Sequence, residues 1–473
     1  ECLGNPNWQN IYYASIPDTS LVIDSNLHQD NELLNLAQNP NMPDPHFFDD
    51  TDNFFTVPIA DATRTSIIDT RLAGMGGSEL IGSYVIVWVF GNEFSFSKIT
   101  GYNSAQNQII FNDLGSDPSN QNGFAHYSIL NNYNSNIFDV EGEYYINDTS
   151  DNGQFKVFSW PKNGIDLTSA GEVTITTNKG YLFYFNGNSH ITLNGLIFQK
   201  SYHTAIFSQP ATSGNIIKNN EVRFGTTIIN VEELTGKGQF TDAIHLQQFS
   251  NALIQNNYIH NTRGTHRGIS LSSNVVNLTV RDNRLFKIGR TGIYFGGVKW
   301  GRMINSTNIN STGTHGNGLT VYQGSENILI ADNVVINSNI LLTTQNSTNF
   351  TSFNNVFDGR GNGLYGIAQW GTNSENTRYI NNVMFGGTSC AFSHGNRNND
   401  KLIFVNNIVE GALGINQTSD LNRGFRKYNA YTGYCWQQSP SYGWTLGEGE
   451  IDATSIPIDD IFVDRDSFDY RLK

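Results

Sequence analysis

A recurring asparagine constrains this chain more than any other feature. An Asn followed by one residue and then an aliphatic is the marker, taken at Asn194, Asn220, Asn257, Asn283, Asn308, Asn333, Asn355, Asn382 and Asn407, at intervals of 26, 37, 26, 25, 25, 22, 27 and 25 residues. Asn308 and Asn355 stand directly before their aliphatic. A period near 25, with several short strands per repeat, is what a parallel β-helix requires. One coil cannot bury its apolar face alone, stacked coils share a continuous core, and a turn Asn can bond its counterpart one coil on. The Leu spacing of leucine-rich repeats and the Trp-Asp signature of propellers are absent. The expected fold is therefore all-β, a parallel β-helix solenoid. At 473 residues the chain is too long for one ordinary compact domain unless it grows by repetition. Glycine is plentiful (46) and proline scarce (11), and short Val, Ile, Phe and Thr runs alternate with Asn, Ser and Gly. That is the texture of many short strands and tight turns.

A second periodicity places a candidate surface. Four times the chain runs through a small residue, an aliphatic, a variable residue and a second apolar: Ala243-Ile244-His245-Leu246, Gly268-Ile269-Ser270-Leu271, Gly292-Ile293-Tyr294-Phe295 and Gly318-Leu319-Thr320-Val321. Alternate residues of a strand share a face, so with the aliphatics buried, His245, Ser270, Tyr294 and Thr320 point outward, in register at about 4.8 Å per coil. Gln247 shares the face of His245. The preceding turns bring Asp242, then His266 and Arg267, then Arg290, then His315 and Asn317, and Tyr322 closes the last strand. The turns GTHRG (264–268) and GTHGNG (313–318) repeat a His after Gly-Thr. The 37-residue interval carries an insertion, INVEELTGKGQF, which ends just before Thr241-Asp242 and brings Glu232 and Glu233. Insertions in a solenoid map to loops on one face, often the binding face.

Charge is uneven. The net charge of −14 argues against nucleic acid as partner of the whole chain, yet residues 261–302 hold Arg263, Arg267, Arg281, Arg284, Lys287, Arg290, Lys299 and Arg302 against one acid, Asp282. Solvated strand ends are the plain explanation for Arg281 and Arg284. Arg267 and Arg290, at repeat-equivalent positions beside the variable slot, suit anion binding, with Lys299 as a further candidate. No apolar run approaches the roughly 18 residues of a transmembrane helix. The opening ECLGNPNWQN does not read as a signal peptide.

Residues 1–170 do not repeat and read as a β-rich region flanking and capping the solenoid; 171–425 read as the solenoid, and 426–473, rich in Tyr and Trp, as a C-terminal cap. Within the first region SYVIVWVFGNEFSFSKITGYN predicts a hairpin turning near Gly91-Asn92, and TSIIDTRLAG a short helix. Three cysteines make no dense framework: Cys390 and Cys435 form one bridge, or they are buried thiols.

The pieces LLNLAQNPN, EYYINDTSDNGQFKVFSWP, SHITLNGLIF, GRTGIYFGG and IFVDRDSFDYRLK resemble secreted bacterial right-handed β-helix enzymes that degrade polysaccharides. Among these are marine hydrolases of sulfated fucans and carrageenans, and polysaccharide lyases such as those acting on alginate. The resemblance implies a right-handed coil, secretion or display at the cell surface, a monomer, and an anionic polysaccharide as partner, with neither nucleic acid nor membrane. No catalytic set carries over whole. Thr241-Asp242 is similar to the first Asp of polygalacturonases, but Arg267 stands where the next coil needs another acid. The closely spaced Glu and Asp of iota-carrageenases are also missing.

Glycoside hydrolysis needs two carboxyls. Asp242 is the sole acid on the repeat wall, Glu232 and Glu233 are its candidate partners, and His245 or His266 can serve as acid or base near neutral pH. On this reading the catalytic candidates are Asp242, His245, Glu232, Glu233 and His266, and the substrate-binding ones Arg267, Arg290, Tyr294, His315, Asn317, Tyr322, Gln247 and Lys299. The sequence leans toward hydrolysis because Asp242 adjoins a Glu-bearing insertion. A lyase would use Arg267 or Arg290 to neutralise a uronate, His245 or His266 as base and Tyr294 as acid. A non-catalytic glycan binder is the third class. No cofactor is expected; a Ca²⁺ held by turn carboxylates and carbonyls would leave no sequence signature.

Overall fold

The computed structural model describes all residues except 1–4, 17–24, 47–52, 91–92, 152–153, 168–171, 177–179, 226–241, 264–266, 312–315, 361–364, 372–373, 386–389, 395–401, 411–412, 416–424, 433–445, 454, 458–459 and 468. Within these residues the regular secondary structure is almost wholly strand, and the one α-helix is a single turn, Arg71–Gly74. Three parallel sheets of 10, 11 and 11 strands run side by side. The first begins at Phe183–Tyr184, the second at Thr192–Asn194 and the third at Ile197–Gln199, and each coil contributes one strand to each in turn. This is the expected parallel solenoid of about 25 residues per coil.

Strand alternation builds the core. Ile244, Leu246, Ile269, Leu271, Ile293, Phe295, Leu319 and Val321 stack inward from the first sheet and are fully or almost fully buried in one continuous apolar column. Between the second and third sheets the chain turns through two residues. The first is left-handed: Asn219, Asn256, Asp282, Asn305, Asp332, Asn354, Asn381 and Asn406 all have φ between 47° and 59°. Asn and Asp tolerate this region better than other residues with a Cβ. The second residue is the buried ladder. Asn220 donates its backbone N–H to Asn257 Oδ1 (3.0 Å), Asn257 to Asn283 (3.0 Å), Asn355 to Asn382 (3.1 Å), Asn382 to Asn407 (2.8 Å) and Asn407 to Asn429 (2.8 Å).

Two of the periodic Asn residues are not rungs. Ser306 takes the rung between Asn283 and Asn333, while Asn308, two residues on, turns inward and donates to Gly318 O at 3.2 Å. Asn194 is the exposed last residue of its strand, in register with Lys218, where it accepts from Asn219 Nδ2 at 2.7 Å, and the outer-row position of that coil is Gly195.

The N-terminal region folds as largely antiparallel sheets, with one parallel pair between Glu143–Asp151 and Asn35–Leu36, over two further apolar clusters. Tyr84–Phe90 and Glu93–Asn103 pair antiparallel as the expected hairpin, although Gly91-Asn92 lies outside the described residues. TSIIDTRLAG splits into a strand, Ser66–Ile68, and the helical turn Arg71–Gly74. The region is fastened to the solenoid by Arg263, which is completely buried and donates to Pro45 O (3.1 Å) and Asn26 Oδ1 (2.8 Å), and by the Lys287–Asp44 ion pair at 2.7 Å. The basic island is thus continuous only in sequence. Arg281 faces out from the second sheet beside Asp282, Arg284 lies over the Tyr258 ring on the third, and Lys299 pairs with Glu326 on the second. The near-25-residue coil distributes neighbouring cations around its circumference. Cys435 and the Cys390 side chain lie outside the described residues.

Candidate active site

Register places the variable slot as a straight row on the first sheet: Tyr184, Phe207, His245, Ser270, Tyr294, Thr320, Thr343. One residue ahead of the small–aliphatic pair, Thr204, Asp242, Arg267, Thr291 and Asn317 form a parallel row, as the backbone bonds from Ala243 to Arg267, Gly268 to Thr291 and Gly292 to Asn317 require. Arg267 and Arg290 are therefore not repeat-equivalent. Arg290 is one residue earlier in its coil, because the turn before Gly292 carries a Thr between them.

Asp242 is the hub of the cluster and is completely buried. One carboxylate oxygen meets His245 Nδ1 at 2.9 Å, and the other accepts the backbone N–H of Arg267 at 2.9 Å. Its own N–H donates to Thr204 Oγ1 at 3.1 Å. Burial pushes the Asp242 carboxyl up, but the bond and charge of His245, followed by the Arg267 charge and N–H, outweigh it and hold the group below the usual Asp value. Asp242 is thus ionised at neutral pH and out of reach of a substrate. Its effect is to fix His245.

With Nδ1 set 2.9 Å from the Asp242 carboxylate, Nε2 is the ring nitrogen left for other partners. It lies 2.9 Å from Gln247 Nε2 and 3.2 Å from Ser272 Oγ. Asp242, His245 and Ser272 line up in the order of a nucleophile relay. The amide nitrogen of Gln247 is nearer, however, so it takes the Nε2 lone pair and the Ser272 hydroxyl is left unactivated. The His245 side chain is 14% exposed, so a base is present and reachable.

Further along the row a cation and two phenols assemble. The Arg267 guanidinium lies 3.7 Å over the Tyr294 ring, within cation–π range, and donates to Ser270 Oγ at 3.1 Å. Tyr294 meets Tyr322 edge-on at 6.2 Å. Gly296 makes room for this arrangement: a Cβ there would stand 2.6 Å from Tyr294 Cε1 and 2.8 Å from its hydroxyl. Burial raises the Tyr294 phenol, with the Asp242 charge adding to the rise and Arg267 and Arg290 opposing it; Tyr322 is likewise raised, chiefly by burial. Both are protonated near neutral pH. Arg290 is buried close enough for its charge to act on both phenols. Asn317 is buried too and donates to Thr320 and Thr343 at 3.4 Å each.

Of the sequence candidates, the structure brings together Asp242, His245, Gln247, Arg267, Arg290, Tyr294, Tyr322 and Asn317. Lys299 is not among them, since its strand belongs to the second sheet. Glu232, Glu233, His266 and His315 lie outside the described residues. Among the described residues Asp242 is the sole carboxylate of the cluster, and no group of three or more His, Cys, Asp or Glu residues could hold a metal ion.

The structure adds an aromatic end that the sequence pattern had not reached. Tyr181 stacks on Phe207 at 4.3 Å and 14°, Tyr184 tilts against Phe207 at 5.5 Å, and Phe207 meets His245 edge-on at 5.7 Å. His203 meets Tyr181 edge-on at 5.1 Å and accepts the Thr204 N–H on Nδ1. Burial lowers its pKa, so it is neutral at pH 7. The signal was available: Ala205-Ile206-Phe207-Ser208 is a fifth small–aliphatic–variable stretch, one coil before the four recognised.

No curated relative matches the chain in sequence. Solved structures with similar backbones include a glycoside hydrolase (TM-score 0.46, 10% identity, 93% of this chain and 80% of that one). Another is a mannuronan C-5 epimerase A-module from Azotobacter vinelandii (TM-score 0.34, 12% identity, 56% and 81%). A third is an alginate lyase from Paenibacillus sp. str. FPU-7 (TM-score 0.28, 10% identity, 57% and 99%). At such scores the overlap adds nothing to what strand register establishes. The family model described as the right handed beta helix region matches residues 122–335 and 224–384, which together span more than half of the chain. The ladder, the three parallel sheets and this match agree, and the chain belongs to the right-handed parallel β-helix family.

Proposed function

We propose that this protein cleaves an anionic polysaccharide by β-elimination at a uronate, in the groove along the first sheet. One observation carries the reading: Asp242 is completely buried, with one oxygen bonded by the Arg267 N–H and the other against His245, so among the described residues the groups of this cluster that reach the surface are His245, Arg267 and Tyr322, with Arg290 and Tyr294 buried beside them. Hydrolysis would require two carboxyls in the groove. In the elimination, Arg267 and Arg290 draw off the charge of the uronate carboxylate, which acidifies the neighbouring C5 proton. His245 Nε2, once the Gln247 amide 2.9 Å away gives way to the substrate, takes that proton, the electron pair forms the C4–C5 double bond, and the C4–O bond breaks. The leaving oxygen receives a proton from Tyr294 or Tyr322. Asp242 is a positioning residue that keeps His245 in the accepting tautomer and stabilises the imidazolium. The Tyr181–Phe207–Tyr184 end offers flat faces against which sugar rings can pack.

A hydrolase acting on a sulfated fucan or carrageenan is the second reading. It is favoured by the insertion, which brings Glu232 and Glu233 next to Asp242 in sequence. Incubation with alginate, carrageenan and fucan, following new reducing ends together with ultraviolet absorbance of an unsaturated uronate, separates the two. Ends and absorbance rising together support elimination. Ends without absorbance support hydrolysis, and no ends on any polymer leave a non-catalytic glycan binder. In this reading the enzyme acts outside the cell and needs no cofactor.

A further inference from the structure

Each of several coils enters the second sheet through one left-handed residue, and that residue is asparagine: Asn251 (φ 49°), Asn277 (54°), Asn327 (58°), Asn349 (53°) and Asn376 (52°). The side chains bond along the axis, Asn277 to Asn251 at 2.8 Å, Asn349 to Asn327 at 3.1 Å and Asn376 to Asn349 at 3.0 Å. In the coil between Asn277 and Asn327 the position is Trp300, at φ 59° and 61% exposed. A bulky aromatic in this backbone region is a genuine outlier, and such outliers gather at functional sites. It breaks the ladder, and no packing in the core repays it.

The indole borders a groove of about 620 Å³ together with Arg302, Asn327, Leu329, Thr351 and Arg378. Arg302, Leu329, Thr351 and Arg378 are one outward row in strict register, so the two guanidinium groups stand three coils apart, roughly 14 Å along the axis. Both arginines are exposed, and among the described residues the side chains of Trp300, Arg302 and Arg378 have no ion pair, hydrogen bond or ring partner. Among the described residues no carboxylate lines the groove; the nearby Glu326 is paired with Lys299 at 3.5 Å.

We propose that this groove is a second, non-catalytic binding site for an anionic polysaccharide. The indole offers a flat apolar face to a sugar ring, the guanidinium forks grip carboxylate or sulfate groups along the polymer, and the asparagine and threonine side chains reach hydroxyls. Because it lies on a different sheet from His245, it tethers polymer without occupying the cleavage groove. The ligand class rests on the polysaccharide reading above; the location of the site does not.

The test uses the full chain in affinity electrophoresis through gels containing alginate, carrageenan or neutral dextran. Trp300→Asn restores the residue of the neighbouring coils, so it should unfold at or above the wild-type temperature. It should also weaken retention by the anionic polymers about tenfold. The double variant Arg302→Ala with Arg378→Ala should do the same, and cleavage of short oligosaccharides should be unchanged in both. Retention equal to wild type in Trp300→Asn, equal retention by dextran, or no retention of the wild type by any anionic polymer overturns the proposal. Failure of the cleavage reading is separate: a chain that cuts nothing but loses retention with Trp300→Asn still has the site.

Discussion

Replacing Asp242 by asparagine probes the site at its hub. The carboxylate sets one oxygen against His245 Nδ1 in an ion pair and offers the other to the Arg267 backbone N–H, each at 2.9 Å. A carboxamide has one acceptor and one donor, so one partner must change. The Arg267 N–H is fixed in the backbone and keeps the oxygen. The amide then faces His245 Nδ1, which can accept only by moving its proton to Nε2, the end that should receive the substrate proton. The shape is conserved and a buried charge is removed, so the cost in stability is that of weakening one hydrogen bond, about 0.5–1.5 kcal/mol. The cost in rate is the loss of general base catalysis, about 10²–10⁴-fold in kcat, with KM little changed. Cleavage kinetics on the polymer that the wild type turns over give the rate, thermal unfolding gives the stability, and ¹⁵N NMR of the His245 ring gives the tautomer. Wild-type kcat in a variant that carries the switched tautomer would refute the role of His245 as base.

Three further outcomes follow from the same geometry. His28 and His46 are buried and, chiefly through that burial with help from neighbouring Arg263, are held down to a pKa of about 3. Between that value and the ordinary 6.5 the unfolded chain binds the extra protons, so denaturant-measured stability should fall with falling pH by up to about 1.4 kcal/mol per unit per histidine; a flat profile from pH 7 to 5 would contradict this. Asn382→Ala should cost on the order of 3–5 kcal/mol in urea unfolding, because it strands the Asn355 N–H and the Ser352 hydroxyl in the core, while Asn381→Ala, on the exposed row, should cost about 1 kcal/mol. Gly296→Ala should fold but displace the Tyr294 ring, lowering kcat with Tm close to wild type; unchanged turnover would remove Tyr294 from the chemistry.

The solenoid was legible because its physics repeats. A turn that needs an αL residue and then a buried hydrogen-bonding one writes an Asn-Asn or Asp-Asn pair every coil, and the inward aliphatics write the period of two. The reading slipped where a substitute serves the same purpose. Ser306 replaces a rung, so the count moved to Asn308, and a single extra turn residue made Arg267 and Arg290 look equivalent. The state of Asp242 was not legible at all. Its burial comes from coils on either side, contributed by residues some 25 to 40 positions away, such as Thr204 and Arg267. The same geometry dispersed the basic island, since cations a few residues apart end on different sheets. The preference for hydrolysis rested on an acid beside a Glu-bearing loop. The geometry weighs against that acid as a direct participant, because a carboxylate with no exposure cannot protonate or attack a sugar.

The central claim is that His245, held by Asp242, breaks a C–H bond of a uronate and no water enters the product. The masses of the fragments from a defined uronate oligosaccharide test it most directly. Elimination predicts two fragments whose masses sum to that of the substrate, one carrying the unsaturated ring. Fragments that together exceed the substrate by one water would contradict the account and return the chemistry to a pair of carboxyls.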